Sequence, residues 1–211
     1  MRMIAAAIIF ATACFAFTPA QGEGPAKGVV ELFTSQGCAY CPPADTALGE
    51  VIAHGGFVAL AWHVDYWDQG GWKDTFSSHA ATERQQRYAS RVGGGIYTPE
   101  FVMNGGSGSA GASAASSILP VSVSVSDGKA KIGAGDGDAD VFLVSFFAPT
   151  KVAIARGENA GHEITYRNAV SGMRKLGSWT GEALTLPAGG GSCAVILQRP
   201  DQGEIIGAAL C

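Results

Sequence analysis

The hydrophobic period of the chain changes partway along. Residues 28–34, GVVELFT, are an apolar run rich in β-formers and predict a strand. Pro42 and Pro43 suit the first turn of a helix, where amides have no intrahelical partner. Ala44, Leu48, Val51 and Ile52 then recur at helical spacing, and His54-Gly55-Gly56 supplies a stop. The next run, FVALAW at 57–62, is apolar throughout, as expected of a strand buried on both faces. A strand, a helix and a buried strand imply a right-handed βαβ crossover with parallel neighbours. SSHAATERQQRYASRV reads as a second, more exposed helix halted by Gly93-Gly94-Gly95, and IYTPEFVMNG as a turn and a short strand. GGSGSAGASAASSIL, 105–119, is either a flexible linker or a last, weak helix. Beyond Leu119 the period becomes two. VSVSVS sets Val121, Val123 and Val125 on one face, and DVFLVSFF, KVAIAR, HEITYRNAV, EALTLP, CAVILQ and EIIGAAL follow as short strands between turn residues. The expected organisation is an α/β unit over 26–118 and a small β-rich, sandwich-like domain over 119–211.

Composition narrows the function classes. Of 211 residues, 47% are hydrophobic and only 15% charged, which excludes intrinsic disorder. The net charge is -4 and no basic block exists, which argues against nucleic acid or anionic membrane as a partner. Arg2 precedes an uncharged apolar run to Phe17, followed by small residues near Ala16 and Ala20, the layout of a secretory signal over 1–20. That run is short for a permanent membrane span. The chain is therefore expected to be periplasmic or secreted.

Export changes the meaning of the cysteines. Cys14 leaves with the signal, while Cys38, Cys41, Cys193 and Cys211 remain, an even number in an oxidising compartment. Cys193 and Cys211 each stand nine residues from Gln202. A hairpin folded there would bring them within reach of a structural disulfide, leaving Cys38 and Cys41 to each other.

The CxxC at 38–41 opens the first helix. There the unpaired amides and the positive end of the helix dipole favour thiolate over thiol. Cys38, nearer the N-terminus, would attack a disulfide, and Cys41 would resolve the mixed disulfide. Two other readings stand beside this one. Soft thiolates also suit copper, with His63 as a third ligand to Cys38 and Cys41, although no His- or Met-rich tract accompanies them. Alternatively the pair is an inert disulfide in a non-catalytic envelope binding protein.

The order strand, CxxC, helix, buried strand, later proline resembles thioredoxin-like proteins. More closely, ELFTSQGCAYCPPAD, WHVDYWDQGGWKD, YTPEFVMNG and RGENAGHEITYRN look like successive motifs of a secreted family known as domain-of-unknown-function family 1223. The resemblance implies a thioredoxin-like α/β domain followed by the β domain. It also implies a cis Pro99 which, with Thr98, lies against the CxxC and holds substrate backbone. It implies no substrate. The sequence departs from ordinary thioredoxins in the Ala39-Tyr40 dipeptide and in having Leu32 where an acid is usual, with Glu31 one residue further back; an inward-facing Glu31 would relay the resolving proton.

Further candidates surround this core. His63, Asp65, Trp67, Asp68 and Trp72 would form a recognition wall or ligand cluster past the buried strand, with Trp67 and Trp72 binding substrate; the plainer account is an aromatic cap with solvated acids. Arg84, Arg87 and Arg91 share a helix face that would steer an acidic substrate, unless they are solvated and Glu83–Arg87 is a marginal pair. Arg156, Glu158, Asn159, His162 and Arg167 gather at one turn, either a polar hairpin tip or an edge facing the CxxC. The expectation is an exported thiol-disulfide oxidoreductase acting on protein thiols or disulfides or with a redox partner protein, without a cofactor.

Overall fold

The computed structural model describes residues 25–107 and 119–211; the expected signal segment and most of the stretch 105–119 lie outside them. The chain begins with β1 (Gly28–Thr34), α1 (Cys41–His54) and β2 (Phe57–His63). The two strands pair in parallel from Gly28↔Phe57 to Thr34↔His63, as the crossover requires. After α2 (His79–Val92), β3 (Glu100–Met103) lies antiparallel on the other side of β1 and continues into the short β4 (Gly106–Ser107). The sheet order is β2-β1-β3-β4. Period-two alternation divides β1. Val30 and Leu32 pack with Ala44 and Leu48 of α1, while Val29 and Phe33 face the opposite side with Tyr88 of α2.

The remaining strands are β5 (Val123–Ser126), β6 (Lys129–Ile132), β7 (Ala139–Phe146), β8 (Thr150–Ala153), β9 (Glu163–Tyr166), β10 (Val170–Trp179), β11 (Leu184–Pro187), β12 (Cys193–Gln198) and β13 (Ile205–Leu210). They form antiparallel sheets ordered β10-β7-β12-β13, β11-β6-β5 and β8-β9. The valines of VSVSVS do what their spacing predicts. Val121 and Val123 are buried with Ala130, Ile132, Leu143, Val195 and Ile206 in the core between two of these sheets. β13 runs very close to the 121–123 segment. A Cβ on Gly207 would lie 2.8 Å from the Val121 carbonyl oxygen, so only glycine fits. The hairpin about Gln202 forms with Ala194 opposite Leu210, and Cys193 and Cys211 are joined by a disulfide, their Cα atoms 5.2 Å apart.

The fold class needs correction. An α/β thioredoxin-like domain followed by a small β domain is not what the chain forms. Strand accounts for 41% and helix for 16%, with two helices among the described residues, so the molecule is mostly β, built of several small sheets. Only β1 and β2 pair in parallel; every other pairing between these strands is antiparallel. The physical reason is that β3 lies antiparallel to β1 instead of extending the parallel pair, and the other apolar face of the first sheet is covered largely by strands. Val29, Phe33, Leu60 and Trp62 share one core with Val144, Val170, Ala194, Ile196 and Ile205.

Candidate functional site

The end of β1 delivers Ser35, Gln36 and Gly37 into a tight turn, and Cys38 N–H bonds to the Ser35 carbonyl at 3.2 Å. Cys41 N–H bonds back to the Cys38 carbonyl, also at 3.2 Å, and α1 starts there. No side chain caps this helix. The two prolines that follow Cys41 contribute no N–H, so the few remaining amides of the turn serve the sulfur and its neighbours. Both cysteines are free thiols and wholly buried.

The Cys38 Sγ lies 3.7 Å from the Thr98 carbonyl oxygen, and the Thr98–Pro99 peptide is cis. Hydrogen bonding from Cys41 is the largest influence on Cys38. Joined by contacts with Thr98 and the backbone at Tyr40 and Cys41, it outweighs burial and lowers the Cys38 thiol to about 6. Cys41 moves the other way, raised first by its bond to Cys38 and then by burial. The two sulfurs are therefore differentiated: a more acidic one in the turn before α1 and a less acidic one on its first residue.

Behind Cys41 lies a set of residues of which sequence reasoning had singled out only His63. Asp45 stands one helical turn after Cys41, the i,i+4 spacing that puts both on one face. Its Oδ1 accepts from the Thr34 hydroxyl at 3.0 Å, and Thr34 also bonds Cys41. Asp45 is buried. Burial pushes its carboxyl up to about 7 despite the attraction of His63 and the Thr34 bond. His63 Nδ1 sits 2.7 Å from Asp74 Oδ2, which also accepts from Gln36 N–H at 2.8 Å. Asp45 Oδ2, His63 Nε2 and Tyr166 OH are buried without a hydrogen-bond partner among the described residues, and the His63 and Tyr166 rings meet edge-on at 5.1 Å.

The predicted residues differ in what they reach. Thr98, Pro99, Trp67 and Trp72 do come to the cysteine turn, but the indoles serve as struts: Trp67 Nε1 donates to the Thr98 hydroxyl at 2.8 Å and Trp72 Nε1 to Gln36 Oε1 at 2.9 Å. Asp65 and Asp68 bond Thr82 and Ser77, within the loop and its adjoining helix. From the 156–167 turn, Glu158 and Asn159 reach the CxxC itself, with Glu158 Oε2 accepting from Ala39 N–H at 3.2 Å. Glu31 does not reach it. It lies on the face of β1 away from α1, bound to Arg84 Nε and to the Tyr88 hydroxyl, each at 2.6 Å. Arg84 is thereby consumed, Arg87 pairs with Glu83 at 3.2 Å, and Arg91 bonds the Gly105 carbonyl, so the three arginines present no common free face. Among the described residues no three His, Cys, Asp or Glu side chains are grouped to hold a metal ion; Cys38, Cys41 and His63 make no ligand set. No helix among them is long and apolar enough to cross a membrane.

The chain as a whole is similar to known proteins. A crystal structure of protein AGR_C_4864 from Agrobacterium tumefaciens is similar over 88% of this chain and 93% of its own, at 35% identity and a TM-score of 0.74. HBP35 of Porphyromonas gingivalis matches over 90% of this chain and 76% of its own with a TM-score of 0.56, a likeness of fold alone at 13% identity. No curated protein matches. The family model described as protein of unknown function DUF1223 matches residues 29–198, and the chain belongs to that family.

Proposed function

We propose that the protein is a thiol-disulfide oxidoreductase working through Cys38 and Cys41 in an oxidising compartment outside the cytoplasm. The observation that carries this reading is geometric: two free thiols stand together where α1 begins, with the Cys38 Sγ 3.7 Å from the Thr98 carbonyl of the cis Thr98–Pro99 peptide. The lowering of Cys38 beside a raised Cys41 supports it. In the reductive direction the Cys38 thiolate attacks a substrate disulfide, forming a mixed disulfide and releasing the first substrate thiolate. Cys41 then gives up its proton and attacks Cys38 Sγ. The Cys38–Cys41 disulfide forms, the second substrate thiolate leaves and takes a proton, and two electrons have passed to the substrate. Asp45 is suited to receive the Cys41 proton through the Thr34 hydroxyl, because a carboxyl raised to neutrality exchanges protons at neutral pH. Export, read from residues 1–20, supplies the compartment in which such exchange is useful.

The complete burial of both sulfurs favours a second reading, a non-catalytic protein whose CxxC is structural. The first reading requires Cys38 to become accessible, and one experiment separates the two. Native protein, after mild reduction that spares Cys193–Cys211, is treated with an alkylating agent and assayed for reduction of a model protein disulfide. The oxidoreductase reading expects modification at Cys38 first, loss of turnover in Cys38→Ser, and a trapped mixed disulfide in Cys41→Ser. Absence of alkylation and turnover, with a melting point lowered in both variants, establishes the structural reading.

A further inference from the structure

The loop between β8 and β9, over residues 154–162, folds onto the cysteine turn. It is closed by hydrogen bonds from Ile154 N to the His162 carbonyl at 2.9 Å and from Gly161 N to the Ile154 carbonyl at 2.8 Å. Gly157 has a positive φ and packs tightly on Trp72: a Cβ there would lie 3.1 Å from the Trp72 Cβ. Glycine alone meets both conditions without strain. Trp72 in turn holds Gln36. The loop is thus seated on the residues that lead into Cys38.

Two of its side chains engage the turn directly. Asn159 is buried, and its amide nitrogen donates to the carbonyl oxygens of both Gln36 and Cys38, each at 2.9 Å. Glu158 takes the Ala39 N–H. The amides therefore divide between acceptors: that of Ala39 serves the carboxylate, that of Tyr40 favours charge on the Cys38 sulfur, and that of Cys41, bonded to the Cys38 carbonyl, favours it more weakly. Two anions that draw on one short run of N–H dipoles raise each other's energy. Asn159 acts in the opposite sense. Its amide nitrogen binds the negative ends of the two carbonyl dipoles beside Cys38, so negative charge on the sulfur is more easily held.

We propose that Glu158 and Asn159 are positioning residues of opposite sign that set the redox equilibrium of Cys38 and Cys41, Glu158 favouring the disulfide and Asn159 the reduced pair. The proposal deepens the oxidoreductase reading and rests on it for its biological meaning. The equilibrium itself is a balanced exchange: two glutathione thiols become one glutathione disulfide as the Cys38–Cys41 disulfide becomes two thiols, and two electrons and two hydrogens pass between them. A more stable thiolate stabilises the reduced side and makes the pair more oxidising.

The test is the equilibrium of full-length wild type, Glu158→Gln and Asn159→Ala with reduced and oxidised glutathione, read by alkylation and mass spectrometry. Dithiothreitol replaces glutathione if the wild-type pair resists it, and Cys193–Cys211 serves as the internal control. Glu158→Gln is expected to move the equilibrium constant about threefold toward the reduced pair, as befits one solvent-exposed charge, and to lower the pH at which the Cys38 thiolate appears. Asn159→Ala is expected to move both in the opposite direction. A Glu158→Gln equilibrium identical to wild type, or displacement of both variants the same way, overturns the proposal; loosening of the turn alone would change melting temperature without opposed shifts. If Asn159→Ala does not fold, Glu158→Gln decides alone. The oxidoreductase reading fails separately, on a wild-type pair that only dithiothreitol opens, and the shift between variants is still measured.

Discussion

Asp45 couples the candidate site to the stability of the molecule. An aspartate in an unfolded chain titrates near 3.8, whereas burial brings this one to about 7. Between those values the folded state keeps a proton that the unfolded state has lost, so this contribution to stability is full below about pH 4 and lost as pH rises through about 7. The shift corresponds to about 4 kcal/mol at most. Denaturant unfolding of wild type and Asp45→Asn at pH 4 and pH 8 should show the difference between them changing by up to that amount, with wild type faring relatively better in acid. A difference that stays constant with pH would assign the titration elsewhere. The two cysteines and the helix start were legible because CxxC followed by prolines constrains local geometry. The proton partner was sought along β1, at Glu31, yet alternation sets it on the opposite face from Leu32, which packs on α1. Asp45 was available from helix spacing alone, four residues after Cys41. Its burial was not, since that depends on His63, Asp74 and Tyr166 arriving from distant segments.

Among the elements, the β12–β13 hairpin was readable almost to the residue, because two apolar runs about a polar turn fix both register and disulfide. Replacing Cys193 and Cys211 together by serine should lower stability by about 3 kcal/mol, the loop-closure entropy of a ring of this size. Denaturant titration measures that loss, and alkylation of Cys38 should proceed at the wild-type rate, since the clip lies outside the cysteine turn. In the same sheet, β10 went unread for a physical reason. It is the longest strand among the described residues, but its pairing with β7 slips between Val170 and Gly172 and again between Lys175 and Gly177. Each bulge inserts a residue and inverts the alternation, so no period of two survives in VSGMRKLGSW. The short β6 was also missed, its KAKI having only two apolar positions.

At the scale of the whole molecule, a buried polar network joins the early and late parts of the chain. Glu31 of β1 holds Arg84 and Tyr88 of α2, and the Gln198 side chain of β12 bonds both at 3.3 and 3.0 Å. Glu31→Ala would leave the Arg84 guanidinium buried without its counter-charge, a loss of about 3–5 kcal/mol. The expected signature is a single, earlier unfolding transition with the Cys38 titration unchanged; a displaced Cys38 titration would mean that Glu31 communicates with the thiols after all. Local patterns could not reveal this network, because hydrophobic period reports which face of an element is apolar and not which distant element will cover it. For the same reason the mostly β character of the assembled core was hidden behind a recognisable βαβ start.

The last strand is tied to earlier parts of the chain: Ala26, just before β1, bonds through its N–H to the Ala208 carbonyl at 3.0 Å, and Ile205 N–H bonds the Asn104 carbonyl of the β3–β4 turn at 2.8 Å. A polypeptide made from its N-terminus therefore lacks part of the cover over Val29 and Phe33 until residues 205–210 have also been made. During that delay Cys38 and Cys41 are present together before Cys193 and Cys211 emerge. Order of emergence thus gives the near neighbours first opportunity to join, and the two crossed pairings that the four cysteines of the described residues would otherwise permit become the rarer accidents of a late encounter.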